Sequence, residues 1–129
     1  MKSEQFTVVL EYQTVWPDTA SLHIEAHITQ EITIAPEVAR RRAAGFLGVE
    51  VLMAAQAGPP TLVIAERPIW RVPAHLQLPG LGDVATLGTL DIDAATGDVI
   101  PLTPDSLADM QRRAHAIATR LTSPTTPTS

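Results

Sequence analysis

The chain contains no cysteine. Disulfide staples, thiolate nucleophiles and cysteine-ligated zinc or iron–sulfur centres are thereby excluded together. Aromatic residues are also scarce: two tryptophans, one tyrosine and two phenylalanines. That leaves little material for a base-stacking platform or an aromatic sugar-binding surface. No apolar run reaches the ~20 residues of a membrane-spanning helix. There is no glycine-rich phosphate loop and no Gly-x-Ser-x-Gly nucleophile elbow, and the serines and histidines form no triad pattern. Positive charge is in deficit, with nine Lys and Arg against fourteen Asp and Glu for a formal net charge of −5. Such a balance favours solubility and opposes broad nucleic-acid binding, which needs a basic footprint.

What remains is enough for one domain. A chain of 129 residues buries ~65–70% of the surface its unfolded form exposes and needs no staples. Residues 1–121 read as a single α+β domain. The segment from Thr122 to Ser129, TSPTTPTS, has almost nothing to bury and reads as a disordered tail. The start, MKSEQFTVVLEYQ, has no apolar core followed by a small-residue cleavage pattern, so a cytoplasmic protein is expected.

The dominant stretch is Pro36 to Ala57, PEVARRRAAGFLGVEVLMAAQA. Pro36 suits a first helical turn, and Gly58-Pro59-Pro60 forbids continuation, so the pattern predicts one long central helix. Its first half is amphipathic, with Ala39 and Ala43 opposite Arg40, Arg41 and Arg42. Its second half is apolar nearly all round, with only Glu50 and Gln56 polar. Burial on more than one side follows, by this chain or by a partner. Gly45 and Gly48 each cost ~1 kcal/mol relative to alanine inside a helix, so either they admit a close-packed neighbour or the sequence simply tolerates them.

Around that helix the sequence predicts an antiparallel sheet of about five or six strands. Phe6–Tyr12 and Leu22–Ile34 alternate with period two and are expected to form a hairpin around Trp16-Pro17-Asp18. In the second of these, Leu22, Ile24, Ala26, Ile28, Ile32 and Ile34 share a face and Gln30 breaks the set. Thr61–Glu66 is a short strand. Ile69–Leu78 places Trp70, Val72, Ala74, Leu76 and Leu78 inward, with Pro73 implying an edge or a bulge. After Pro79-Gly80, Val84–Asp93 returns with Val84, Gly88, Leu90 and Ile92 inward, and Gly97 supplies a positive φ in the following turn. Thr103-Pro104-Asp105 then caps a last helix whose stripe is Leu107, Met110, Ala114, Ile117, Ala118 and Leu121.

Three groups of residues invite a chemical reading. His23, Glu25 and His27 share a strand face and are the candidates for a metal site. At ~3.3 Å per residue, however, the two histidines stand about 13 Å apart, so a third ligand such as His75 would be needed. A solvated sheet face is the simpler reading, and no metal or other cofactor is called for. Asp91, Asp93 and Asp98 flank Gly97 but lack the glycine and glutamate of a calcium loop, leaving a polar turn. Arg40, Arg41 and Arg42 sit where the helix dipole disfavours cations. They serve either a partner's carboxylates, a phosphate, or a solvated face paired with Glu37.

Two local likenesses accompany these readings. WRVPAHLQLPG and TLDIDAATGDV, within Trp70–Asp98, resemble the strand pair and turn of PepSY-type domains. That likeness implies a local hairpin and a non-catalytic regulatory module. ITQEITIAPEVARR, Ile28 to Arg41, resembles the strand-to-proline-to-helix signature of AbrB or MazE-like antitoxins, with Glu31, Ala35 and the helix length departing from it. Glu66–Pro73 also resembles small bacterial proteins that carry no assigned activity. The expectation is a non-catalytic interaction or regulatory protein, homodimeric or bound to a protein partner, with Arg40, Arg41, Arg42, Gly45, Gly48, Val49 and Leu52 as its contact residues. The alternatives are an antitoxin-like DNA-binding regulator and a small metal-dependent enzyme.

Overall fold

The computed structural model describes residues 7–11, 25 and 27–122. Its elements run β1 (Thr7–Leu10), α1 (Pro36–Glu50), β2 (Ala55–Ala57), β3 (Thr61–Ile64), β4 (Pro68–Leu78), β5 (Gly82–Asp93) and α2 (Pro104–Thr122). The class is α+β, as the sequence implies. The spine is β4, whose residues alternate between buried and partly exposed along nearly its whole length. It forms a long antiparallel hairpin with β5. Gly80 and Gly82 turn the corner at φ of 78° and 70°, and the Leu81 N–H donates to the Leu78 carbonyl.

Two short strands divide the other edge of β4. Antiparallel β3 pairs with Pro68–Arg71, and antiparallel β2 with Ala74–Leu76. Pro73 stands between them, its carbonyl accepting the Gly58 N–H at 2.8 Å. A strand residue's N–H and C=O point to the same side, so the donor that proline lacks would have faced this gap rather than β5. Of the two positions proline implied, edge or bulge, the structure shows an interior strand with a register shift at Ala74/His75. β1 runs parallel to β3, making the sheet mixed and not purely antiparallel. The long crossover through α1 permits that parallel pairing, whereas a tight hairpin would not.

Both helices cover one sheet face. Ala39, Ala43 and Leu47 of α1 and Met110 and Ala114 of α2 share a core with Leu62, Trp70, Val72, Ala74, Leu76, Leu87, Leu90 and Ile92. Leu87 is a correction to the expected inward set of β5. It is the extra residue of a bulge, lying between Thr86 opposite His75 and Gly88 opposite Ala74. Gly88 takes φ +138° there, and the bulge shifts the side-chain phase so that Leu87 turns inward.

The long central helix is also corrected. α1 stops at Glu50, and the Leu47 carbonyl takes the N–H groups of both Val51 and Leu52. Residues 55–57 instead become β2, because the stretch of β4 beyond β3 would otherwise present unpaired backbone groups. Gln111 Nε2 donates to the Glu50 carbonyl at 2.6 Å and ties α2 to this helix end.

The expected strand at Leu22–Ile34 is not formed over its described part. Leu22, His23, Ile24 and Ala26 lie outside the described residues, and residues 27–34 join no ladder. They form a strap instead: Gln30 Nε2 donates to the Ala65 carbonyl, the Thr33 and Ile34 N–H groups to the Ala94 carbonyl, and Trp70 Nε1 to the Ile34 carbonyl. Residues 27–34 are held to the sheet by these few bonds, and β1 pairs in parallel with β3. Thr103 caps α2 as its sequence indicates, its hydroxyl accepting the Ser106 N–H at 3.2 Å. Thr103→Ala is expected to cost about 1 kcal/mol, measured as a lower thermal midpoint with native helix content.

Candidate interaction surface

Ala39, Ala43 and Leu47 recur every four residues on the buried side of α1. At 3.6 residues per turn, Arg41, Gly45 and Gly48 fall on the opposite side. Neither glycine has a neighbour: a Cβ built on Gly45 or Gly48 would meet nothing within 4 Å. A close-packed neighbour for the glycines is therefore not supplied by the described chain. Beside them Val49 is 83% exposed, and Met53, just past the helix end, is 87% exposed. Leu52 is half-buried and packs against the core, because the chain leaves helical geometry before reaching it.

The hairpin tip adjoins this surface. The Gln77 N–H donates to the Ala54 carbonyl, and Leu76 stands opposite Ala55, which brings Met53 to the β4–β5 turn. Leu81 at that turn is 54% exposed. Val49 on α1, Met53 just past its end and Leu81 at the adjoining turn are thus all exposed apolar residues. Scattered exposed apolar residues are ordinary, but a contiguous group marks a contact surface. Met53 and Leu81 were not among the sequence candidates. A large apolar residue between two turn glycines, Gly80-Leu81-Gly82, was the available signal for one of them.

The three arginines diverge. Arg40 pairs with Glu37 through its Nε, at 2.9 Å, and its Nη2, and the Arg40 hydrogen bond holds the Glu37 carboxyl below its ordinary range. Arg42 Nη1 donates to the Gly97 carbonyl at 3.1 Å. Arg41 is exposed, and among the described residues no acceptor meets it. A cleft of about 330 Å³ runs between the start of α1 and Ala57–Pro60, lined by Pro36, Glu37 and Arg40.

The helix-free sheet face carries a charged cluster beside the apolar Val63 and Ile69. Arg71 makes a two-pronged pair with Asp91 directly across the ladder, at 3.0 and 3.2 Å, and its Nη1 donates to Glu11 at 2.6 Å. A cleft of about 430 Å³ beside it is lined by Arg71, Thr89, Asp91 and residues 100–102. The guanidinium is matched by two carboxylates, so the arrangement reads as a cross-strand brace. Asp93 closes the next turn: its carboxylate accepts the Ala95 and Thr96 N–H groups, chiefly the former, and they hold it below the ordinary carboxyl range, with Arg67 adding to the effect.

For the metal candidates, His23 lies outside the described residues, and Glu25 and His27 are exposed. His75 lies against Gly58, where a Cβ would come within 2.7 Å of its Nε2. Among the described residues no group of three His, Cys, Asp or Glu side chains converges as a metal site, and no helix is long and apolar enough to cross a membrane.

The fold and surface thus define an α+β chain, a mixed sheet covered on one face by two helices, with exposed apolar residues at the end of α1 and at the adjoining turn. No family model matches this chain, and neither does any curated protein or solved structure.

Proposed function

We propose that the protein is a non-catalytic interaction module that self-associates through the outward side of α1 and the adjoining hairpin tip. The observation that carries this reading is the exposure of Val49 and Met53 beside two glycines with open space around them. Burying a valine or methionine side chain is worth about 1.5–3 kcal/mol. Four such side chains in a two-fold dimer offset an association cost of roughly 4–15 kcal/mol, so the dimer is weak and concentration-dependent. The phosphate-binding alternative is less favoured, since Arg40 and Arg42 already donate within the chain and only Arg41 is left for it.

The test is a Val49→Lys, Met53→Asp double variant. Both side chains are almost fully exposed in the single chain, so the variant is expected to fold with native circular dichroism. Sedimentation should find it monomeric where the unmodified protein is dimeric, with dissociation at least about 100-fold easier, a desolvated charge being costly. Unchanged association would remove this surface from the interface.

A further inference from the structure

We infer that the occupant of this surface is a second copy whose α1 lies antiparallel to the first, with each Arg41 set against the C-terminal end of the opposing helix; the inference rests on the self-association proposed above. Apart from Glu37 in the first turn, the charges of α1 are placed against its own dipole. Three arginines stand in its first two turns, and Glu50 closes it with no basic residue in the last turn. A helix N-terminus disfavours cations, and a C-terminus favours them. Two of the arginines are compensated internally, by Glu37 and by the Gly97 carbonyl. Arg41, on the same side as the glycines, is attracted by Glu37 one turn away but has no hydrogen-bond acceptor among the described residues.

The matching deficit is at the other end. The Leu47 carbonyl takes two N–H groups and the Glu50 carbonyl takes Gln111. Among the described residues no donor meets the carbonyls of Gly48 and Val49. An arginine side chain is the group that commonly satisfies such terminal carbonyls. The spacing then fixes the arrangement, because residue 45 is midway between residues 41 and 49. Two copies related by a two-fold axis at Gly45 place Arg41 of each at Val49 of the other. The axis passes through the residue that has no side chain to hold the helices apart. A parallel pairing would instead bring the arginine turns of both copies together and align their dipoles, which is unfavourable on both counts.

The two arrangements differ in the sign of one measurement. Arg41→Glu should weaken the dimer roughly tenfold if Arg41 meets a helix C-terminus, since two sites each lose a favourable charge and gain an unfavourable one. Arg41→Lys should retain most of the affinity. In a parallel pair Arg41→Glu would relieve repulsion and tighten the dimer. Sedimentation of the three proteins therefore decides: weakening supports the antiparallel arrangement. An unchanged or tighter dimer overturns it while leaving self-association in place, and an unmodified protein that is monomeric throughout overturns both. Because the chain lacks cysteine, Gly45→Cys gives a second measurement. It should form a disulfide between copies under mild oxidation far faster than Gln77→Cys, and equal rates would contradict an axis at Gly45.

Discussion

Trp70→Ala is expected to destabilise the protein by about 3–5 kcal/mol, the range for removing a large aromatic from a packed core. Trp70 is 1% exposed and sits on the central strand, opposite Leu62 on one side and Ile92 on the other. Its loss opens a cavity where β3, β4 and β5 meet. It also removes the indole N–H that holds the Ile34 carbonyl at 2.7 Å, immediately before the first turn of α1. Trp70→Phe should recover most of the packing but not the hydrogen bond, leaving a deficit of about 1 kcal/mol. Denaturant titration of the three proteins separates these contributions. A loss below about 1 kcal/mol for the alanine variant would contradict the placement of Trp70 at the centre of the core.

Gly97→Val should cost about 2–5 kcal/mol, although the residue lies in a turn. Two effects add. Gly97 has φ +82°, and an L-residue in that region loses roughly 1–2 kcal/mol, with a β-branched side chain at the unfavourable end. A Cβ there would also stand 3.0 Å from Ile34 Cδ1 and 3.2 Å from the Arg42 guanidinium carbon. Crowding of that kind costs roughly 1–3 kcal/mol. Since Gly97 also accepts the Arg42 bond through its carbonyl, the variant should loosen α1 from the turn. Thermal unfolding reads the loss, and hydrogen exchange at Arg42 and its neighbours should rise with it. A near-neutral result would mean the turn adopts a different backbone.

The sequence signals that proved sufficient were local and redundant. Along β4, Trp70 to Leu78 alternates strictly and Gly80 turns the chain after it, as the structure has them, whereas Pro73, read as marking an edge or a bulge, stands in an interior strand beside a register shift. Gly97 and Thr103 carried their conformations in their residue types. The failures were at places decided by distant pairing. Nothing between Glu50 and Ala55 stops a helix; the chain leaves it because β4 has an edge to fill. The strap at residues 27–34 alternates as a strand should, but it docks on the Ala65 and Ala94 carbonyls instead of joining a ladder. Leu87 faces inward only because a bulge changes the phase between Thr86 and Gly88. The candidate surface was half legible. Gly45, Gly48 and Val49 stood out by composition, whereas Leu52 turned to the core and Met53 turned outward once the helix ended early.

The measurement that bears most directly on a second copy covering α1 is the solution mass of the unmodified protein by light scattering over a dilution series from millimolar to sub-micromolar. A dimeric interface predicts a mass near twice 13.8 kDa at the concentrated end, falling towards the single-chain mass on dilution. A mass that stays at that of one chain across the whole series would contradict it.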